Sequence, residues 1–264
     1  MFSLIEIVII LLIGAGGGIM VGIMGGSGVM VVVPMLTLLL SFPVHTAIGT
    51  SLLINIVAAL ITSFIYYRHR NLYIKPALWI ALGSVVGAQA GSIFADMIPA
   101  LGMSNLFGLM LIPMGILLWV RGIRRTTGGV SNSANNTLPV ETRKGRLIAV
   151  GLGLFVGIMC GLFGAGGGGM IFIILIFVLR YPIHLAVGTS SLIMAITATS
   201  GTIGYAIHGN IDIYVALIAS VSTVLAAGLG ARVANRVSER TLGRIIGAVL
   251  TILGVVMIAT QHLA

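Results

Sequence analysis

Apolar residues run through this chain in long unbroken blocks, separated by short polar stretches. The blocks cover roughly 4–23, 28–41, 46–66, 74–95 and 103–120, then 147–163, 167–179, 185–206, 213–232 and 243–260, with a polar interval at 121–146 between the two sets. Most are close to the ~20 residues that a helix needs to cross a bilayer. The second block of each set is shorter, about 13 residues, which suits a half-membrane or broken helix better than a full span. The pattern predicts an all-α integral membrane protein of about 8–10 hydrophobic segments.

Two glycine-rich stretches interrupt this pattern at matching places. Gly22-Ile-Met-Gly-Gly-Ser-Gly-Val-Met-Val-Val-Val-Pro34 returns, 139 residues later, as Gly161-Leu-Phe-Gly-Ala-Gly-Gly-Gly-Gly-Met-Ile-Phe-Ile173. Clustered glycines are poor helix formers and Pro34 lacks a backbone donor, so neither stretch is expected to be regular helix throughout. Irregular backbone at membrane depth survives only where it is buried in protein or lines a polar cavity.

The same 139-residue offset relates much of each half without gaps. Gly14, Gly18 and Gly22 match Gly153, Gly157 and Gly161, and Phe42-Pro43-Val44-His45 matches Tyr181-Pro182-Ile183-His184. Gly49-Thr50-Ser51 matches Gly188-Thr189-Ser190, and Tyr66, His69 and Asn71 match Tyr205, His208 and Asn210. The chain therefore reads as a tandem duplication. Its expected parts are a first transmembrane repeat at 1–121, a linker at 122–145 and a second repeat at 146–264.

Composition fixes the solvent. With 58% hydrophobic and 7% charged residues and a mean hydropathy of +1.19, a 264-residue chain has no polar shell for a soluble fold. The net charge of +9 does not point to nucleic acid, because the basic residues sit in short loops between apolar blocks. Cys160 is the only cysteine, which excludes an internal disulfide or a multi-cysteine metal site. The N-terminus lacks a basic region and a small-residue cleavage site, and it reads as the first membrane segment rather than a signal peptide.

Charge also orients the chain. The linker region carries Arg121, Arg124, Arg125, Arg143, Lys144 and Arg146 and is expected to be cytoplasmic, together with the loop of Arg68, Arg70 and Lys75. In the second half the equivalent of that loop, 206–212, has no Lys or Arg, and the basic loop is the next one, with Arg232, Arg236, Arg240 and Arg244. All basic loops share one side only if the repeats have inverted topology, an architecture typical of secondary transporters. The expected location is the inner (plasma) membrane, multi-pass, with both termini extracytoplasmic.

The apolar blocks contain almost no charge. A cation transporter or proton pump is expected to keep carboxylates there, whereas an anion site needs none. Helix N-termini, glycine nests and hydroxyls bind oxyanions through neutral donors. The candidate substrate-binding residues are therefore Gly25, Gly26, Ser27 and Gly28 with Thr50, Ser51 and Asn55 in the first half. Their counterparts are Gly164, Gly166, Gly167 and Gly168 with Thr189 and Ser190 in the second. Against this stand blander roles: close helix packing for the glycines, and hydroxyls bonded back to their own helices. The regular glycine seams at 14/18/22, 83/87/91 and 153/157/161 are expected to pack helices. His45 and His184, each two residues after a proline, are candidates for proton linkage or for capping. Asn55 breaks the symmetry, because Met194 stands in the equivalent position. No nucleophile–base constellation or metal-ligand cluster is visible, so neither an enzyme nor a cofactor is expected.

These residues resemble the TauE/SafE, or sulfite exporter, family of membrane proteins. The resemblance rests on the glycine stretch at Gly22–Pro34 and Gly161–Ile173 and on the H-x-x-x-G-T-S motif at His45–Ser51 and His184–Ser190. It runs from about Gly14 to Gly254. The departures are Ser27 and Val29 in the first copy, where glycines are usual, and Ile173 in the second, where proline is. The resemblance implies transport of sulfite, sulfonates or related small organic anions, with the lipid bilayer and a small anionic substrate as partners and homo-oligomerisation left open. The competing readings are a passive anion channel and a membrane accessory protein of a sulfur-metabolising system.

Overall fold

The computed structural model describes residues 3–25, 28–99, 143–164, 166–177, 179, 181–234 and 236–237, with isolated positions in 109–116 and 241–255. The expected segments 103–120 and 243–260 and the linker 122–145 lie almost wholly outside these residues.

Among the described residues all regular structure is helical. The helices are α1 (Leu4–Met24), α2 (Val29–Leu40), α3 (Val44–Arg68), α4 (Ile74–Asp96), α5 (Arg143–Phe163), α6 (Gly166–Phe177), α7 (Ile183–Ile207) and α8 (Ile213–Ala234). All except the 12-residue α2 and α6 are long and apolar enough to cross a membrane. The 139-residue offset of the sequence reappears in the bounds: Leu4 and Arg143 begin equivalent helices, as do Val44 and Ile183.

Local chemistry sets the ends. Ser3 and Glu6 form a capping box at α1: the Ser3 amide donates to Glu6 Oε2 at 2.7 Å and the Glu6 amide to Ser3 Oγ at 3.3 Å. This satisfies otherwise unpaired donors of the first turn and gives Glu6 a structural role. At the other end Gly25 adopts φ +77°, a left-handed conformation open to glycine, and its amide donates to the Val21 carbonyl at 2.7 Å.

The two halves interlock in a crossed pattern. Gly14, Gly18 and Gly22 of α1 lie against Ala219, Thr223 and Ala227 of α8, so closely that an added Cβ would strike the α8 backbone. With the halves exchanged, Gly153, Gly157 and Gly161 of α5 lie against Ile80, Ser84 and Ala88 of α4. Lipid tails are as apolar as the helix surfaces, so association depends on this close approach and on hydrogen bonds across it. Thr223 Oγ1 donates to the Gly14 carbonyl at 2.8 Å and Ser222 Oγ to the Leu11 carbonyl at 2.7 Å. Such bonds contribute only about 0.6 kcal/mol each on average, so the extended backbone contact carries most of the weight. The small-residue seams thus pack helices, as their spacing predicts.

Helix directions follow from these contacts. Along both seams residue numbers rise together, so α1 runs parallel to α8 and α4 parallel to α5. By contrast, Gly49 near the start of α3 abuts the Asn210 carbonyl just beyond the end of α7, and Gly188 near the start of α7 abuts the Asn71 carbonyl beyond the end of α3. Helices α3 and α7 therefore run antiparallel. One end of the bundle gathers the C-termini of α3 and α8 with the N-termini of α4 and α5, and holds Arg68, Arg70, Lys75, Arg143, Arg146 and Arg232. Glu6, Asp96 and Asp212 lie at the other end.

Candidate functional site

The first glycine break turns the chain back after α1 so that α2 starts beside the middle of that helix. The Gly28 carbonyl accepts from the amides of Val31 and Val32 at 3.0 and 2.9 Å, opening α2. A Cβ on Gly28 would stand 2.5 Å from Val21 Cγ2, 2.7 Å from the Gly17 carbonyl oxygen and 3.2 Å from Asn55 Oδ1. Only glycine permits this approach. At ~1.5 Å per residue α2 is about 18 Å long, roughly half of a bilayer's hydrocarbon depth. Its N-terminus is therefore held inside the bundle.

Asn55 faces that helix start. It lies near the middle of the 25-residue α3 and is 2% exposed, and among the described residues neither Nδ2 nor Oδ1 has a hydrogen-bond partner. An unpaired polar group at a buried site costs about 1–3 kcal/mol. Its side-chain amide, with two donors and an acceptor, stands beside the positive end of the α2 dipole. Thr62, two helical turns further along α3, is likewise buried, and its hydroxyl has no partner among the described residues.

The second break carries different chemistry. Gly164 takes φ +61°, and a Cβ there would meet Ile48 Cγ2 at 2.5 Å and Val29 Cγ1 at 3.4 Å. The second break thus touches the first residue of α2, and the two breaks converge. Met194 occupies the place equivalent to Asn55, and Cys160 the place equivalent to Val21. The Cys160 thiol lies 3.6 Å from the Gly164 carbonyl oxygen and 3.9 Å from Met194 Sδ. One half offers an amide to the junction, the other two soft sulfurs.

Around the breaks the duplicated residues hold the frame. Tyr66 donates its hydroxyl to the Gly22 carbonyl at 3.2 Å, and Tyr205 to the Gly161 carbonyl at 3.0 Å. Each satisfies a carbonyl in the last turn of its helix, where intrahelical partners run out. Sequence reasoning matched these tyrosines but gave them no role. Their identical offset was the available signal.

The Gly-Thr-Ser hydroxyls are buried and engaged with the protein. Thr50 Oγ1 accepts from the Asp212 amide at 2.9 Å, and Thr189 Oγ1 from the Tyr73 amide at 3.2 Å. Ser51 Oγ donates to the Ile48 carbonyl at 2.8 Å. Ser190 Oγ lies 2.8 Å from the Gly25 carbonyl oxygen and 3.0 Å from that of Val187, which ties the first glycine break to α7 of the other repeat. The two serines thus commit their donors to backbone carbonyls. His45 and His184 each hold a helix end: their Nε2 atoms lie 3.0 Å from the carbonyls of Ala95 and Ala234. Gly26 and Ser27 lie outside the described residues, and Gly166, Gly167 and Gly168 form the first turn of α6.

Among the described residues, six helices long and apolar enough to cross a membrane, with two short ones among them, make this a multi-pass membrane protein. The chain belongs to the sulfite exporter TauE/SafE family, whose pattern matches residues 10–257. It is 34% identical to "Probable membrane transporter protein YdhB" of Bacillus subtilis over 219 residues, covering 83% of this chain and 86% of that one. A "Probable membrane transporter protein" of Xylella fastidiosa (strain 9a5c) is 29% identical over 255 residues, 95% of each chain. "Probable membrane transporter protein YunE" of Bacillus subtilis is 25% identical over 260 residues, 94% of this chain and 95% of that one. No solved structure matches the chain significantly. The family and its relatives mark a membrane transporter rather than an enzyme.

Proposed function

We propose that this protein is a secondary transporter of small anions, sulfur-containing ones foremost, that works by alternating access between two repeats of inverted topology, 1–121 and 146–264. The observation that carries this reading is the Asn55 amide beside the start of the half-length α2, a neutral donor at mid-helix that has no partner among the described residues. The substrate is held where the two glycine breaks meet, with Asn55 and the backbone donors of α2 and α6 as its ligands. Ser190 ties the first break to α7, and the Gly-Thr-Ser threonines hold the loops that follow α7 and α3. The antiparallel course of α3 and α7 supports inverted repeats, and the gathering of basic residues at one end supports a cytoplasmic 122–145 linker in the plasma membrane.

The test is transport by purified protein in liposomes, with sulfite, thiosulfate, sulfoacetate, taurine and acetate as substrates. Saturable uptake with trans-stimulation by one of these anions, lost in Asn55→Leu, is the expected result. Unsaturated conduction without counterflow would mean a channel, and no movement of any anion would remove transport of this class altogether.

A further inference from the structure

Away from the junction, the outer face of the bundle carries a groove of about 520 Å³ between α3 and α8, each from a different repeat. Its floor is Ile65 and Gly228, and its walls include Phe64 and Leu229, which are 60% and 59% exposed. At its mouth stand Arg68 and Arg232, both in the last turn of their helices and both at the basic end of the bundle. Among the described residues neither arginine has a carboxylate partner. Arg68 instead lies over the Phe64 ring, its Cζ 5.9 Å from the centroid.

The duplication supplies an internal comparison. In the equivalent place between α7 and α4, Ile207 and Ile93 replace the two arginines and Gln89 replaces Gly228. There Gln89 Nε2 donates to the Ser200 carbonyl at 2.6 Å and to its hydroxyl at 3.0 Å, filling the space that Gly228 leaves open. Of the two copies, the one at the basic end combines an apolar trough with cations that have no carboxylate partner among the described residues.

We propose that this groove binds an anionic phospholipid of the leaflet at the basic end, its acyl chain along Phe64 and Leu229 and its phosphate between Arg68 and Arg232. Two cations at the end of an exposed apolar trough complement one negatively charged headgroup and one hydrocarbon chain. A second copy of this chain docking by the same face would bring four arginines together without a counter-charge. Each basic residue near an anionic surface contributes roughly fivefold in affinity. The inference rests on the groove and does not depend on which solute the protein carries.

Delipidated full-length protein in detergent tests it by thermal stability during titration with palmitoyl-oleoyl phosphatidylglycerol, the matched phosphatidylcholine, or inorganic phosphate. Phosphatidylglycerol is expected to raise the unfolding temperature while the other two do not. In Arg68→Gln/Arg232→Gln the half-saturating phosphatidylglycerol concentration should rise about thirtyfold. Gly228→Leu should abolish the response without harming the fold, since a Cβ at that position meets only Ile65 Cδ1, at 3.8 Å. An unchanged response in both variants, an equal response to phosphatidylcholine, or a response to phosphate alone would overturn the proposal. So would a dimer that forms through this face and leaves the protein indifferent to lipid.

Discussion

The Thr50 hydroxyl, on α3 of the first repeat, accepts a hydrogen bond at 2.9 Å from the amide of Asp212, which follows α7 of the second. With the repeats exchanged, Thr189 accepts from Tyr73 at 3.2 Å. The Gly-Thr motif therefore works as a reciprocal clasp: the glycine lets the opposite loop approach, and the threonine satisfies that loop's amide. Thr50→Val and Thr189→Val keep the shape and remove the acceptor. Each is expected to lower stability by about 1 kcal/mol, the net worth of a typical hydrogen bond, since both bonds are part-buried. The sites lie at opposite ends of the bundle, so the double variant should lose the sum. Thermal unfolding of purified variants checks this, and unchanged midpoints would show that the clasp is incidental.

Asn55 makes the sharpest separation between stability and function. Replacing it with leucine removes an unsatisfied polar side chain from a buried site, so the variant should unfold at the same or a higher temperature than the parent. Transport should be lost in the same protein. A marked fall in stability would instead show that the amide is part of the fold.

The glycine breaks are testable by single methyl groups. Gly28→Ala places a Cβ against Val21, Gly17 and Asn55, and Gly25→Ala combines a positive φ with a collision at the Val187 carbonyl. Both should abolish transport while membrane insertion persists, because the long helices are unchanged. Gly151→Ala is the control: a Cβ there has nothing within 4 Å. It should be harmless, or stabilise α5 by up to about 1 kcal/mol through helix propensity. Full activity of Gly28→Ala would leave the first break as a packing device only.

Sidedness follows from the antiparallel course of α3 and α7. His69 and His208 are equivalent, exposed, and located just beyond the ends of those helices. In a Cys160→Val background, His69→Cys should react with a membrane-impermeant maleimide from the cytoplasm and His208→Cys from outside. Labelling of both from one side would exclude inverted repeats.

Much of this architecture was legible in the chain itself. Helix positions, the shortness of α2 and α6 and the duplication follow from hydropathy and a constant offset, because every membrane-spanning backbone must satisfy its own hydrogen bonds and so has little choice but helix. The packing role of the Gly14/Gly18/Gly22 seam could likewise be read from its period of four. What the sequence by itself could not decide was which faces meet. Helices that are apolar all round carry no amphipathic stripe to point inward, so the crossed pairing of α1 with α8 and α4 with α5 appears only in the packed bundle. The same holds at the junction. The Gly-Thr-Ser hydroxyls and Asn55 are all candidate ligands in the sequence, since each is a polar group in an apolar block. Tertiary structure separates their surroundings: Ser190 reaches the Gly25 carbonyl and Thr50 the Asp212 amide, while Asn55, at mid-helix against the start of α2, has donors and an acceptor that nothing among the described residues meets. A hydrogen-bond partner is a matter of distance in space, and only the fold supplies that.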